Sequence, residues 1–140
     1  MHNKYNMEKV IVEVFYSGNN YSAHIPILPG CVTTGNTIDE IERYMKEATD
    51  AHVELSLEDN DPIPDLFKGE YELVFKLSTE ALLNAYSGIF TKAALSRVTG
   101  INERQLWHYA AGLKKPRLAQ TKRIETGLHK LGAELLNIRL

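Results

Sequence analysis

The chain has a single cysteine, Cys31, among its 140 residues, so no disulfide can close within it. No Cys/His cluster has the spacing of a zinc site either, and neither a metal nor a cofactor is expected. A cysteine-poor sequence suits a reducing compartment, and a cytoplasmic location is expected. No run of about 18 apolar residues is present, so no membrane-spanning helix is predicted. Met1–Lys9 lacks the apolar core of a signal peptide; Met1–Asn6 reads as a frayed leader, with Met7 an alternative start. Internal repeats and low-complexity stretches are missing as well. Proline occurs only 5 times, and Pro26, Pro29, Pro62, Pro64 and Pro116 all fall where the hydrophobic pattern breaks.

What the chain does have is charge sorted by position. The formal net charge is -2, but residues 1–90 hold 15 Asp+Glu against 6 Lys+Arg, whereas residues 91–140 hold 10 Lys+Arg against 3 Asp+Glu. A cationic segment of that density can neutralise phosphates and release counterions, and an acidic one suits a basic partner. The alternative is that both charge sets are simply solvated faces.

Hydrophobic periodicity divides the chain in the same way. Val10, Val12, Val14 and Tyr16 alternate with Ile11, Glu13 and Phe15, a strand; after the turn cluster Ser17–Asn20, residues Tyr21, Ala23, Ile25 and Ile27 share a face and complete a hairpin. Cys31–Thr34 can form a short third strand. Thr37 with Glu40 is a capping box opening a helix whose Ile38, Ile41, Met45, Ala48, His52 and Leu55 form the apolar stripe. Ser56–Gly69 is a polar, proline-interrupted loop, and Tyr71–Leu77 alternates again as a strand. From Thr79 four short helices are expected, interrupted at Ser87-Gly88, Gly100, Gly112 and Pro116. Leu136, Ile138 and Leu140 alternate as a candidate last strand, which would pair across a dimer. The fold class is therefore α+β: a β-β-β-α-β domain over residues 1–77 and an all-α domain over residues 78–140.

Within the second domain, Thr91–Pro116 reads as two capped helices hinged at Gly100, a helix-turn-helix. Thr91 and Asn102 are the N-caps, Ala94, Leu95, Val98 and Leu106 face inward with Tyr109 or Ala110, and Ile101 plugs the angle between the helices. Asn102, Glu103, Arg104, Gln105, Trp107 and His108 lie on the first two turns of the second helix, the part that enters the major groove in such motifs. Arg104 has the fork for guanine O6/N7, Glu103 can accept from cytosine N4, and His108 can donate to a base or phosphate. Lys92, Lys114, Lys115 and Arg117 are candidate phosphate contacts. The spacing, including the Gly-x-Lys-Lys-Pro run, resembles the lambdoid-repressor or XRE type. The acidic Glu103 and bulky Trp107 depart from it, and either would weaken insertion into the groove.

The stretch Ile25-Pro-Ile-Leu-Pro-Gly-Cys-Val-Thr-Thr-Gly-Asn-Thr-Ile-Asp-Glu-Ile41 resembles the HicB antitoxin family, in which a hairpin ends in Pro-Gly-Cys-Val and Gly-Asp/Asn-Thr opens an acidic helix. The likeness runs on through Asp61-Pro-Ile-Pro64, Tyr71–Leu77 and Leu82-Leu-Asn-Ala-Tyr86 to Leu131-Gly-Ala-Glu-Leu135, as in the subgroup with a C-terminal repressor-like domain. The resemblance implies a partial ribonuclease-H-like domain that binds HicA, a small basic toxin that cleaves mRNA. It also implies a DNA-binding domain that represses the shared operon as a homo-dimer or tetramer. Asp39, Glu40, Glu42, Glu47, Asp50 and Glu54 are then candidates for facing the toxin.

Two rival readings follow from the same residues. A ribonuclease-H-like fold invites a nuclease, but two-metal chemistry needs carboxylates converging on paired ions. Glu13, Glu47 and Asp50 are the only tempting trio, and their spacing does not indicate convergence, so no catalytic residue and no enzyme activity is expected. His24 and His52 read as a surface strand residue and a partly buried helix residue. The other rival is a stand-alone regulator whose first domain senses a small ligand in an apolar pocket.

Overall fold

Alternation of β-branched residues sets the first element. In β1 (Glu8–Tyr16) Val10, Val12 and Val14 are fully buried, while Ile11, Glu13 and Phe15 point to the opposite face. The computed structural model describes residues 7–140; the leader expected at Met1–Asn6 lies outside the described residues. β1 pairs antiparallel with β2 (Tyr21–His24), and β2 pairs antiparallel with β3 (Val32–Gly35). The last strand, β4 (Tyr71–Leu77), lies parallel to β1, so the sheet is mixed, with order β3-β2-β1-β4. A parallel neighbour requires a crossover. The 21-residue helix α1 (Ile38–Glu58) supplies it.

The second strand stops earlier than its alternation predicts. Pro26 has no N–H to give a ladder, and the chain turns at Ile25–Leu28, with Leu28 N donating to Ile25 O at 3.0 Å and Cys31 N to Leu28 O at 3.1 Å. Leu28 is buried as a result, and Ile27 is exposed.

The stripe of α1 is also rotated from the expected one. The buried residues are Ile41, Met45, Thr49, Val53 and Ser56, whereas Leu55 is 58% exposed. The row 41-45-49-53 is an i±4 ridge, which runs obliquely to the helix axis and suits packing on a twisted sheet. Thr49 is tolerated inside because its Oγ1 donates to Met45 O at 2.6 Å. The segment read as loop, 56–69, is partly ordered: α1 persists to Glu58, and Asp65–Lys68 forms one 3-10 turn. Phe67 is buried there, its ring edge-on to Tyr71 at 5.1 Å.

The chain separates into two compact units, with the division between Ser78 and Thr79. The second unit is helical throughout: α2 (Thr79–Ala85), α3 (Lys92–Thr99), α4 (Glu103–Ala110) and α5 (Leu118–Leu136). The fold is thus α+β. Leu83, Leu95, Ile101, Leu106, Tyr109 and Ile124 make the core of the helical unit. Three of the helices are short, but α5 has 19 residues. The strand expected at Leu136–Leu140 is not formed, because α5 continues to Leu136 and the backbone turns at once, Ile138 N donating to Leu135 O at 3.2 Å. No helix among the described residues is long and apolar enough to cross a membrane.

Candidate functional site

The geometry of α3 and α4 is fixed at each joint by one polar side chain. Thr91 starts α3, its Oγ1 accepting from Ala94 N at 3.0 Å, and Asn102 starts α4, its Oδ1 accepting from Gln105 N at 2.8 Å. Each cap satisfies an N–H that the helix itself cannot. Between them Gly100 takes φ 75°, a left-handed conformation that glycine adopts without a Cβ clash. The Gly100 carbonyl accepts from Arg123 Nη2 of α5 at 2.7 Å, and the buried Ile101 fills the angle. Leu106 and Tyr109 press α4 onto the core, and Gln105 Nε2 donates to Tyr109 Oη at 2.8 Å.

Burial of Leu106 and Tyr109 turns Glu103, Arg104 and Trp107 outward, and Lys114, Lys115 and Arg117 in the following loop are all exposed. Two other candidates, Lys92 and His108, sit differently from the sequence reading. Lys92, expected on the phosphate-facing rim, is only 7% exposed, with its Nζ 4.5 Å above the Trp107 ring. Its methylene stem is spent on packing, and its charge on the indole face. His108 is half-buried, and its Nδ1 is buried with no hydrogen-bond partner. Asn102 is exposed, but its oxygen already serves the cap. The outward face of α4 carries one carboxylate, one guanidinium and one indole, with three cations in the loop that follows. A helix of about 10–12 Å diameter matches a major groove about 12 Å wide.

On the first unit, Asp39, Glu42, Glu47, Asp50 and Glu54 are distributed along the solvent side of α1. Glu40 belongs to the cap: Asn36 N donates to its Oε2 at 2.8 Å, and Glu40 N donates to Thr37 Oγ1 at 3.1 Å. The acidic strip is interrupted by Arg43, which stands 5.1 Å over the Tyr44 ring. A cleft beside it joins Lys46 and Asp50 of α1 to Glu70, Tyr71 and Glu72. Burial, with the nearby Asp50 carboxylate, holds the Tyr71 hydroxyl above its ordinary pKa. Glu13 lies on the sheet face away from the buried valines, with Oε2 3.8 Å from His24 Nε2, so it does not meet Glu47 and Asp50. Among the described residues no three His, Cys, Asp or Glu side chains gather to hold a metal ion.

Residues 9–72 match the family model of the HicB-like antitoxin of bacterial toxin-antitoxin systems. Over this segment the chain is similar to the HicB-like antitoxins. The match runs from β1 to the start of β4 and therefore takes in the hairpin, α1 and the Pro29–Thr37 connection, while the helical unit lies outside it. No curated protein matches the chain.

Within the HicB-like domain, the Pro-Gly-Cys-Val stretch has a structural use. It links β2 to the edge strand β3, and the Cys31 Sγ packs against α1, 3.9 Å from Met45 Sδ and 3.6 Å from Thr49 Oγ1. Burial pushes the Cys31 thiol pKa up, the opposite of what a reactive thiolate needs. Sequence reasoning passed over the open face of the sheet. There Phe15 stacks on His24 with ring centroids 5.8 Å apart, and Ile11 and Val32 are exposed as well. The signal was present in the apolar Ile11 and Phe15 on the strand's second face, since a solvent-facing side normally alternates to polar residues.

Proposed function

We propose that the chain is the antitoxin of a HicAB-type pair and the repressor of its own operon. In this reading the HicB-like domain, a partial ribonuclease-H-like fold, covers the active surface of a small basic mRNA-cleaving toxin. The acidic strip of α1 supplies the electrostatic match and raises the encounter rate. The observation that carries the reading is the family match over residues 9–72, in an acidic domain joined to a cationic one.

The second unit then acts as the helix-turn-helix, with α4 as the recognition helix. Arg104 reads a guanine, Trp107 presents an apolar face to a thymine methyl, and Lys114, Lys115 and Arg117 sit on phosphates. One copy makes few contacts, so operator affinity requires at least two copies on paired half-sites about one helical turn apart.

Co-expression with the product of the neighbouring gene tests the first half. The expected result is co-purification of a small basic protein and relief of its toxicity, with charge reversal of Glu47 and Glu54 weakening both. A chain that neither binds nor protects is not an antitoxin. Gel shift of the upstream region tests the second half, and a ligand-sensing regulator would shift DNA while ignoring the neighbouring protein.

A further inference from the structure

The two edges of the sheet are built differently. β3 has 4 residues, follows Pro29-Gly30 and ends at Gly35, so it offers little backbone to a passing chain. β4, at the other edge, has 7 residues with no proline, no glycine and no break in its register with β1. Its free side follows from one hydrogen bond. Ser78 N donates to Val14 O at 2.9 Å, so the Ser78 backbone faces β1. Backbone groups point to alternate sides along a strand, and the register therefore aims the N–H and C=O of Tyr71, Leu73, Phe75 and Leu77 away from the sheet. Among the described residues no backbone hydrogen bond reaches these groups from outside the sheet.

The side chains at the same positions are incompletely covered as well. α1 packs over β3 and β2. Beyond it Tyr71, Leu73, Phe75 and Leu77 are only half-buried, whereas Val10, Val12 and Val14, their neighbours on β1, are closed from solvent. The space left is a cleft of ≈ 450 Å³, walled by Lys46, Thr49 and Asp50 of α1 and by Tyr71, Leu73 and Phe75 of β4. A strand laid beside β4 directs every second side chain to the α1 side of the sheet, and the cleft is the room for them. The rim has a sign: Asp50, Glu70 and Glu72 border it with Lys46, and the exposed Glu54 follows Asp50 one turn along α1. A strand carrying lysine or arginine is matched there, and an acidic one is repelled.

We propose that β4 receives an edge strand of a basic partner protein, which pairs with Tyr71–Leu77 and extends the 4-stranded sheet by one strand. Main-chain hydrogen bonds to the outward groups of β4 supply affinity, and the cleft with its carboxylates selects the side chains. The inference rests on the toxin-masking reading for the partner's identity. It moves the principal contact from the acidic face of α1 to the open edge of the sheet, and it explains how a long, unblunted edge is kept from promiscuous pairing.

Residue-resolved amide hydrogen exchange, on the full chain alone and on its complex with the small basic product of the neighbouring gene, is the test. In the free chain the amides of Tyr71, Leu73, Phe75 and Leu77 should exchange fast, and those of Glu72, Val74 and Lys76, which face β1, slowly. In the complex the fast set should slow by about 100-fold or more, an alternating pattern that side-chain shielding alone does not produce. Leu73→Pro removes one outward N–H and spares the ladder to β1, and Asp50→Lys reverses charge at an exposed site of the rim. Each should weaken the complex about 10-fold or more, with the melting transition of the unit as the check on folding. If Leu73→Pro unfolds, the wild-type exchange pattern and Asp50→Lys still decide. A complex in which the outward amides stay fast overturns the proposal and leaves the antitoxin reading standing. Outward amides already slow in the free chain overturn it too, because the edge is then occupied without the partner, and so does unchanged affinity in both variants. Failure to form any complex overturns this proposal and the antitoxin reading together.

Discussion

Val10, Val12 and Val14 of the HicB-like unit are wholly shut from solvent, as are Ile41 and Met45 of α1, while the helical unit keeps Leu83 and Leu106 dry yet leaves an apolar groove above them open. The sheet-and-helix unit covers most of one face of the sheet with a single long helix and turns the other outward. The helical unit caps and hinges its short helices tightly but stops short of closing around them. A domain of about 60 residues that leaves apolar surface unburied has a thin margin of stability. The two units should therefore respond differently to the same kind of damage.

The largest expected effect comes from cutting the thinner core. Leu106→Ala should cost about 3 kcal/mol, enough to unfold the helical unit while the HicB-like unit keeps its own transition. Calorimetry should separate one melting event into two, and a single shared transition would show the units to be energetically coupled. The comparable deletion Val12→Ala should lower only the other transition, leaving DNA binding intact.

Next in size is Arg104→Ala, which should cost about 1–3 kcal/mol on the preferred operator and relax discrimination at one base pair. Lys114→Ala should instead weaken binding to all sequences and reduce the salt slope by about 0.9, the share of one neutralised phosphate. Binding unchanged in both variants would remove α4 from the groove.

The caps offer a matched pair of smaller effects. Thr37→Ala and Asn102→Ala each delete a side-chain acceptor for a helix N–H, and each should cost about 1 kcal/mol. In the longer, better buried α1 the loss should shift only the melting temperature, whereas in α4 it should also lower DNA affinity. The smallest expected effect concerns Cys31: its burial and raised pKa predict negligible alkylation of the native protein at neutral pH, with full labelling in denaturant.

Much of the architecture was legible because it rests on local rules. The valines of β1, the Thr37 and Asn102 caps and the hinge at Gly100 follow from periodicity and backbone sterics alone. The misreadings share a cause, which is that residue type and local spacing were taken to fix a residue's surroundings. Thr49 and Ser56 lie inside and Leu55 outside because the orientation of α1 is set by the sheet beneath it. The alternation of Leu136, Ile138 and Leu140 suggests a strand, yet α5 persists to Leu136 because nothing before Asn137 interrupts its turns and no neighbouring strand offers a ladder. Lys92 reads in the sequence as a free cation, whereas in the structure it lies against the face of Trp107.

The two opposite charges, the capped helices and the outward side of α4 at Glu103, Arg104 and Trp107 follow from residues within a few positions of one another. That Lys92 braces Trp107, that Glu13 stands apart from Glu47 and Asp50, and that Gly132 borders an open groove come from the packing of whole elements. Those relations join residues far apart in the chain, and a spacing of residues along the backbone carries no information about where two elements come to rest on each other.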